Sequence, residues 1–310
     1  MKQSSFSDLE CQSNKENYTQ RKFLSEMDII LPWKLLLKPI RKQYPQAGNG
    51  RPPISPDTML RIYFMQQCYQ LSDPAMEDSL YDIEAMRRFA RVTLNSIPDE
   101  STILRFRHFL EQHELTQKLF QSSEYYLSEH GLILSEGTIV DASIVSASSS
   151  TKNKDHQRDS EMKQAKKGNQ WYFGMKMHIG SDTQGRVHSI VVTDAAVHDS
   201  TVAEELIHGK ETELYGDKAY ANAQRKEAYE AGGVTWRINR KAKRGKNLNC
   251  ADRSFNRKSN RTRARVEHAF GVVINLWGYR KVKYKGIAKN STQVFALFML
   301  YMARKELAIL

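Results

Sequence analysis

The sequence predicts an α/β protein in which an all-helical N-terminal region precedes a mixed sheet. Between residues 20 and 130, helix-start signals recur and apolar residues follow helical spacing. After Gly131 the pattern changes to short β-branched runs and an alternating hairpin. A chain of 310 residues is long enough for two domains of ordinary size.

The N-terminal region is predicted to be helical throughout. A first helix is expected from Arg21 to Ile40, which carries Phe23, Met27 and Ile30 at helical spacing. Three further starts place a proline or an acid in the first turn, where they suit the free amides and the dipole of a helix. These starts are Ser55-Pro56-Asp57, Asp73-Pro74 and Pro98-Asp99-Glu100, the last opening a helix that runs toward Leu127.

The C-terminal region is predicted to alternate between strands and helices. Strands are expected at Gly137–Val145, Trp171–Ile179, Val187–Thr193, Glu213–Tyr215 and Val234–Ile238. Helices are expected after Ser200, at Ala221–Ala231 and from about Asn256 to Leu276. This order, a strand and an antiparallel hairpin followed by alternating helices and strands, predicts an RNase H-like mixed sheet with a hairpin and flanking helices.

These patterns divide the chain into parts. Residues 1–18 are predicted to be a disordered tail, 19–130 a helical region and 131–310 the mixed α/β domain. Within that domain, residues 146–169 are polar and lack an apolar rhythm, so they are predicted to be a loop or insert. Residues 239–258 are predicted to be a basic loop.

Charge is concentrated in one segment. The net charge of the chain is +12, and the segment from Arg237 to Arg265 carries 12 Lys or Arg against one acid, Asp252, a local net of +11. Such a tract either binds a polyanion or is simply a solvated loop. The three cysteines are far apart, the N-terminus from Met1 to Tyr18 has no apolar signal-peptide core, and no apolar run reaches the length of a membrane span. We therefore expect a cytoplasmic protein with no membrane partner.

Three isolated acids stand out against this background. Asp141 follows the apolar run Thr138-Ile139-Val140, Asp217 follows Leu214-Tyr215-Gly216, and Glu267 lies among arginines on a predicted helix. A lone aspartate at a strand end is more often a cap or turn residue. Two strand-borne aspartates and a helix-borne glutamate are also a set that can hold divalent metal against a phosphodiester.

Five segments resemble the DDE transposases of bacterial insertion sequences, in particular the subgroup known as insertion sequence family five. They are Ile139-Val140-Asp141-Ala142-Ser143, Gly168 to Lys176, Val197-His198-Asp199, Gly216-Asp217-Lys218-Ala219-Tyr220 and Arg263-Ala264-Arg265-Val266-Glu267-His268. The resemblance extends upstream through Ala47 to Arg51, Leu71-Ser72-Asp73, Ala75 to Asp78 and Phe106-Arg107-His108, and it covers roughly residues 20–305.

The resemblance implies specific roles. Asp141, Asp217 and Glu267 would be the catalytic triad and would bind two Mg²⁺ ions, with Mn²⁺ as a substitute. Arg263, four residues before Glu267 and on the same helix face, would grip a phosphate beside the metal site. The other cations that we expect to contact DNA are Arg261, Arg265, Lys241, Lys243, Arg244 and Lys246.

The same resemblance implies an activity. The protein would bind the terminal inverted repeats of double-stranded DNA through its helical region, cut the ends by metal-dependent hydrolysis and join the 3′-hydroxyls to target DNA. We expect a homodimer in the DNA complex and association with the nucleoid. The alternatives are an RNase H-like nuclease of another role and a non-catalytic DNA-binding derivative of a transposase.

The sequence departs from the family pattern at two positions. Asn260 stands where the pattern has a tyrosine, and Ile274 stands where it has a lysine. The lost lysine would remove one contact with the DNA end, unless Arg280 or Lys281 replaces it.

Other candidate DNA contacts are left open by the sequence. Trp171 and Tyr172 either stack on an unpaired base or, the favoured interpretation, pack in the core of the hairpin. The lysines of the polar insert either contact phosphates or keep a loop soluble; they are Lys152, Lys154, Lys163, Lys166 and Lys167. Arginines of the helical region are candidates for the transposon end; they are Arg87, Arg88, Arg91, Arg105 and Arg107.

Overall fold

The computed structural model of the chain describes residues 22–46, 48, 52–134, 136–152, 154, 156–242 and 245–307. Within this part the chain forms two compact units. The first comprises the residues up to Leu119 together with those from Met302 onward, and the second is Phe120–Tyr301. The predicted tail of residues 1–18, and all but Gly48 of the motif Ala47 to Arg51, lie outside the described residues.

The first unit is helical, as the sequence predicts. Its helices are α1 (22–30), α2 (Trp33–Arg41), α3 (Pro56–Tyr69), α4 (Asp73–Asp82), α5 (Glu84–Ala90) and α6 (Glu100–Gln112). Two longer helices, α7 (Leu115–Glu129) and α10 (Ile287–Leu307), contribute residues to both units. The unit boundary after Leu119 therefore falls inside α7, whereas the sequence predicts it near residue 130.

The predicted helix starts are confirmed, but two predicted helices are each interrupted. The Ser55 hydroxyl accepts from the Asp57 amide, and the Asp99 carboxylate accepts from the Thr102 amide at 2.7 Å, so both cap their helices. The helix expected from Arg21 to Ile40 is two helices, because Pro32 has no amide hydrogen to continue the first. The helix expected toward Leu127 breaks at Glu114, whose φ of +50° is left-handed.

Most arginines suggested as DNA contacts in this unit have partners inside it. Arg107 is buried and pairs with Asp73 at 2.8 Å and with Glu111 at 3.1 Å. Arg91 pairs with Asp57 at 3.0 Å. For Arg107 the suggestion is wrong, because a guanidinium enclosed by two carboxylates is a packing element of the helical unit.

The second unit is built on a mixed sheet that is consistent with an RNase H-like fold. Its strands are β1 (Gly137–Ser146), β2 (Lys163–Lys167), β3 (Gln170–Asp182), β4 (Val187–Asp194), β5 (Glu213–Gly216) and β6 (Thr235–Ile238). The long helix α9 (Cys250–Phe270) runs into a π-helix, Gly271–Leu276, and α8 (Ala223–Ala231) lies between β5 and β6.

The pairing of the strands gives the order β4–β3–β1–β5–β6, with β2 paired to the first part of β3. β1, β5 and β6 are parallel, and β3 is antiparallel to β1 and to β4. The hairpin of β3 and β4 is thus confirmed. One side of this sheet packs in a cluster made of Val140, Ala203, Leu206, Leu214, Tyr220 and Ile238, and α9 contacts β1, β5 and β6.

Two predictions about connecting segments are wrong. Part of the polar insert of 146–169 is the strand β2, which forms because its backbone pairs with β3 although its side chains are mostly lysine. The basic loop ends at Asn249 instead of residue 258, because the Asn249 side chain caps α9 by accepting from the Asp252 amide at 2.6 Å. Asp252 then faces the positive end of the helix. Among the described helices, none is long and apolar enough to cross a membrane.

Gly174, where β1, β2 and β3 meet, tests this packing. A Cβ at this position would lie 2.1 Å from the Val145 carbonyl oxygen and 2.9 Å from the Ala147 amide nitrogen, both of them backbone atoms. We expect Gly174→Ala to lower the free energy of unfolding by about 2–3 kcal/mol, as overpacking does elsewhere, in urea titrations. The matched control is Gly271→Ala, where nothing lies within 4 Å of the added carbon. Equal stability of the two variants would contradict the strand junction described here.

Candidate active site

Asp141 lies in the middle of the sheet, on β1 opposite Ile179 of β3. Its carboxylate is largely buried, with 16% of the side chain exposed. One oxygen, Oδ1, accepts from the Ala142 amide at 2.9 Å, and the other, Oδ2, accepts from Nη1 of Arg263 at 2.8 Å. The β-branched residues before it keep this strand extended, which fixes the short side chain in place.

Asp217 lies at the end of the neighbouring strand. Val140 pairs with Gly216 in the parallel ladder of β1 and β5, so Asp141 and Asp217 each follow a paired residue at the same edge. Gly216 leaves room for the side chains of its two partners in the sheet, because a Cβ there would be 2.8 Å from Cδ1 of Ile238 and 3.1 Å from Cγ2 of Val140. The Asp217 carboxylate accepts from the Ala219 amide at 2.6 Å and begins the 3₁₀ turn Lys218–Tyr220.

Glu267 and Arg263 come from α9 and share one face of it, four residues apart. Nη2 of Arg263 donates to Oε1 of Glu267 at 2.6 Å, while its Nη1 donates to Asp141. One guanidinium thus bridges two of the three predicted catalytic acids. Glu267 is the more accessible of these two, with 55% of its side chain exposed.

The electrostatics of the site leave Asp141 short of positive charge. The pKa of Asp141 is raised to about 6, chiefly by burial and also by the charges of Asp217 and Glu267. The Arg263 guanidinium and the Ala142 amide act in the opposite direction but do not restore the ordinary value. The three acids therefore influence one another, and their combined negative charge favours a bound cation.

The residues present fit a divalent metal by their chemistry. Carboxylate oxygens are the ligands that Mg²⁺ prefers, and Asp141 and Glu267 already hold one cation, Arg263, between them. In the described part of the chain, no three acidic, histidine or cysteine side chains stand close enough to share one metal ion in this conformation. Arg263 stands between two of the carboxylates that would have to converge.

The basic residues predicted to bind DNA are placed on two elements. Arg261 and Arg265 are exposed on α9, and Arg265 donates to Gln184 at 3.4 Å. Lys241 and Lys246 are exposed in the segment between β6 and α9, and Lys243 and Arg244 lie outside the described residues. Gly185 permits the close approach of this helix to the β3–β4 turn, since a Cβ on it would meet the Arg265 carbonyl oxygen at 2.7 Å.

Two features of the site were missed by the sequence reasoning. The Tyr220 hydroxyl is buried and has no hydrogen-bond partner among the described residues. Burial raises the pKa of this hydroxyl, and the charges of Asp199, Asp141 and Asp217 raise it as well. The Lys176 side chain is only 13% exposed, and its ammonium group donates to the Asp199 carboxylate at 2.9 Å and to the Val197 carbonyl at 2.6 Å. The charge of Lys176 within the alternating strand Trp171–Ile179 was the available signal.

The second unit combines a mixed sheet, consistent with an RNase H-like fold, with a site in which Arg263 bridges Asp141 of β1 and Glu267 of α9, and Asp217 follows the neighbouring strand β5. Comparison with known families shows which class of protein this is. Residues 134–303 match the transposase DDE domain family, and residues 9–109 match a second transposase domain family, DUF772. The chain belongs to the DDE transposases of insertion sequence type, enzymes that act on DNA and generally use divalent metal ions.

The raised pKa of Asp141 predicts a stability effect at the site. Because the folded-state value is about 6 and the unfolded value is 3.8, the folded protein binds the extra proton between these limits and loses stability as pH rises through them. Asp141→Asn keeps an acceptor for Arg263 and removes the buried charge. In metal-free buffer at pH 7.5 we expect it to stabilise the protein by up to about 3 kcal/mol, measured by urea unfolding.

That gain should shrink as the pH is lowered toward 4, where both proteins are neutral at this position. Added Mg²⁺ should stabilise the wild type more than the variant. A gain that is the same at pH 4 and pH 7.5 would show that charge burial at Asp141 is not its cause.

Proposed function

We propose that Asp141, Asp217 and Glu267 form the metal-binding catalytic triad of this transposase. The observation that carries the proposal is the pair of ion pairs from Arg263 to Asp141 and Glu267. They join β1 to α9 across 122 residues of sequence and bring two of the predicted acids to one cation. Asp217 is placed beside them by the ladder between β1 and β5.

The proposed substrate is the terminal inverted repeat of an insertion sequence. A water molecule attacks the phosphorus at the element's end, the bond from phosphorus to the 3′-oxygen breaks, and a 3′-hydroxyl and a 5′-phosphate remain. The 3′-hydroxyl then attacks a phosphorus of the target DNA, the bond from that phosphorus to the target's 3′-oxygen breaks, and the target strand is left with a free 3′-hydroxyl. Two Mg²⁺ ions, or Mn²⁺ in their place, would activate the attacking oxygen and neutralise the leaving oxygen when bound.

The chain's own residues have separate tasks in this proposal. Asp141, within β1, and Asp217, just after β5, are held by their backbone hydrogen bonds, so they provide fixed ligands. Glu267 is more accessible and closes the site from the helix. Arg263 leaves the carboxylates for a DNA phosphate, to which a guanidinium can donate two parallel hydrogen bonds.

The exposed cations around the site are proposed to bind the DNA backbone. Arg261 and Arg265 flank Arg263 on α9, and Lys241 and Lys246 precede the helix. Lys243 and Arg244 belong to the same basic segment by sequence. Phosphate contacts of this kind supply affinity without reading sequence, so we assign recognition of the inverted repeat to the helical unit.

The proposal has three further parts. The protein belongs to the family-five subgroup, forms a homodimer in the DNA complex and acts at the nucleoid in the cytoplasm. They are supported by the matching segments from Ile139 to His268. Light scattering of the protein with and without an inverted-repeat duplex tests the dimer. We expect the mass of two protein chains per DNA complex. A mass of one chain per complex would contradict it.

Substitution of the triad tests the catalytic proposal. The substrate is a duplex carrying the inverted repeat read from the DNA that brackets the gene, in Mg²⁺ or Mn²⁺. We expect Asp141→Asn, Asp217→Asn and Glu267→Gln each to lower nicking by at least about 100-fold, because each removes a metal ligand. The control is Glu205→Gln, an exposed acid of the same unit.

Each outcome of this assay separates the candidate activities. Nicking that persists in Asp141→Asn would count against the triad. Nicking by the wild type with no joined product favours a nuclease of the same fold, and DNA binding with no nicking favours a non-catalytic derivative. Joined product from the wild type supports the transposase.

Arg263 provides an independent test that does not depend on turnover. Its guanidinium competes with a metal ion for Asp141 and Glu267, so Arg263→Ala should bind Mn²⁺ more tightly, by roughly tenfold, as the loss of one or two charge-assisted hydrogen bonds implies. The same variant should bind the DNA end more weakly. Isothermal titration with Mn²⁺ in the absence of DNA gives the first quantity, and fluorescence anisotropy gives the second.

The control for the Mn²⁺ measurement is Arg261→Ala on the same helix, which should leave Mn²⁺ affinity unchanged. Arg263→Lys keeps the charge without the planar fork and should give an intermediate Mn²⁺ affinity. Weaker Mn²⁺ binding by Arg263→Ala would mean that Arg263 organises the carboxylates instead of competing for them.

A further inference from the structure

The first part of β3 projects from the sheet together with β2. Gln170–Tyr172 pairs with Ala165–Lys167 of β2, whereas β1 and β4 pair with β3 only from Gly174 onward. The two strands are joined by Gly168 and Asn169, and Gly168 has the positive φ of +62° that a tight turn requires at this position. We call β2, this turn and Gln170–Phe173 the lysine ribbon.

The lysine ribbon is anchored at its base by acids. The Asp159 carboxylate accepts from the Gly286 amide at 2.7 Å, and the Glu161 carboxylate accepts from the Ile287 amide at 2.7 Å, at the start of α10. An isolated two-stranded ribbon is only marginally stable in water, so these contacts give it a fixed base. They also use the acids of the segment, and no acid occurs from Met162 to Ser181.

The surface of the lysine ribbon combines cations with an exposed aromatic ring. Lys163, Lys166 and Lys167 are all exposed. Trp171 is 66% exposed, which corrects the favoured expectation that it packs in the hairpin core. Lys166 is its partner across the ladder, with Nζ 5.9 Å from the centre of the indole ring.

The same face continues toward the sheet. Phe173 lies two residues from Trp171 and therefore on the same side of the strand, and the Arg158 guanidinium lies 5.4 Å from its ring centre. Cations beside aromatic rings, free of acids, form a surface that suits a polyanion with flat, stackable groups.

The lysine ribbon lies at a defined distance from the candidate active site. Ile179 is opposite Asp141, and Trp171 is eight residues before it on the same strand. At about 3.4 Å per residue this is roughly 27 Å along the strand. Because DNA rises by about 3.4 Å per base pair, the separation corresponds to about eight base pairs.

We propose that the lysine ribbon is a second DNA contact of the second unit. The ribbon enters a groove of duplex DNA about eight base pairs from the cut phosphodiester, a two-stranded ribbon being narrow enough for the major groove. Trp171 packs against the bases and sugars there, and Lys166 and Lys167 bind the flanking phosphates. The inference rests on the proposed function, because it requires DNA at the candidate active site.

Footprinting tests the lysine ribbon independently of cutting. All proteins carry Asp141→Asn, so that the DNA stays intact, and the probe is an inverted-repeat duplex that extends well past the cut site on both sides. We expect hydroxyl-radical protection at the cut site and a second protected patch about eight base pairs away. Trp171→Ala, and the double variant Lys166→Ala with Lys167→Ala, should lose the second patch and keep the first.

Binding measurements supply the magnitude. Loss of the buried contact of one large aromatic ring predicts about tenfold weaker binding for Trp171→Ala, whereas Trp171→Tyr, which keeps an aromatic ring, should lose much less. The double lysine variant should reduce the slope of log affinity against log salt by about two. Its control is Lys210→Ala with Lys226→Ala, which removes the same charge elsewhere on the unit.

The outcomes separate the two proposals. An unchanged footprint in the ribbon variants overturns the ribbon contact, whatever the nicking assay gives. Equal weakening by the two double lysine variants also overturns it, because general charge would then explain the effect. A footprint that loses only the second patch supports the ribbon contact even where the wild type does not nick DNA.

Discussion

The ion pairs of Arg263 hold the second unit together at the point where its chemistry is proposed to occur. Asp141 is buried beside two other carboxylates, which in the absence of a cation would repel one another and oppose packing of α9 on the sheet. Arg263 offsets part of that repulsion by donating to Asp141 and Glu267. The pKa of Asp141 nevertheless stays raised to about 6, chiefly because the carboxylate is buried and in part because of the charges of Asp217 and Glu267. The site therefore keeps an excess of negative charge that a divalent cation can offset.

The need for negative charge at a cation site accounts for an acid, Glu267, within the most basic helix of the chain. Glu267 lies on the face of α9 that carries Arg263, while Arg253, Arg257 and Arg261 are exposed elsewhere on the helix. A polyanion that approaches an acidic site meets repulsion, and surrounding cations reduce it. The same helix thus supplies both signs of charge, and Gly185 lets it lie close enough to the β3–β4 turn for this arrangement.

Much of the fold and of the candidate site could be predicted because the signals were local. Asp141 and Asp217 follow apolar β runs, and parallel neighbours place the ends of such runs at one edge. The strand β2 was missed, because its lysines give no apolar alternation; the available signal was the two-residue turn Gly168-Asn169, which joins it directly to β3. The start of α9 was missed because its cap, Asn249, lies within a run of basic and polar residues that reads as a loop.

The exposure of Trp171 was missed for a related reason. Alternation places Trp171 and Phe173 on the same face as Met175 and Met177, and only the methionines are buried. The pattern is continuous, but the sheet that would cover it ends at Gly174. Periodicity shows which side chains share a face and does not show where the neighbouring strand stops.

The departures from the family pattern also depend on geometry that spacing does not show. Asn260, in the tyrosine position, accepts from Asn239 at 2.7 Å and lies 3.5 Å from Nε of Arg263, so it links the end of β6 to the arginine of the site. Ile274, in the lysine position, lies within the π-helix Gly271–Leu276. A π-helix bonds each residue to the fifth along instead of the fourth, so a separation of seven residues from Glu267 no longer marks the same face. The Arg280 guanidinium reaches this segment by donating to Asn275 at 3.1 Å. A cation is therefore present beside Asn275, the residue that follows the apolar Ile274.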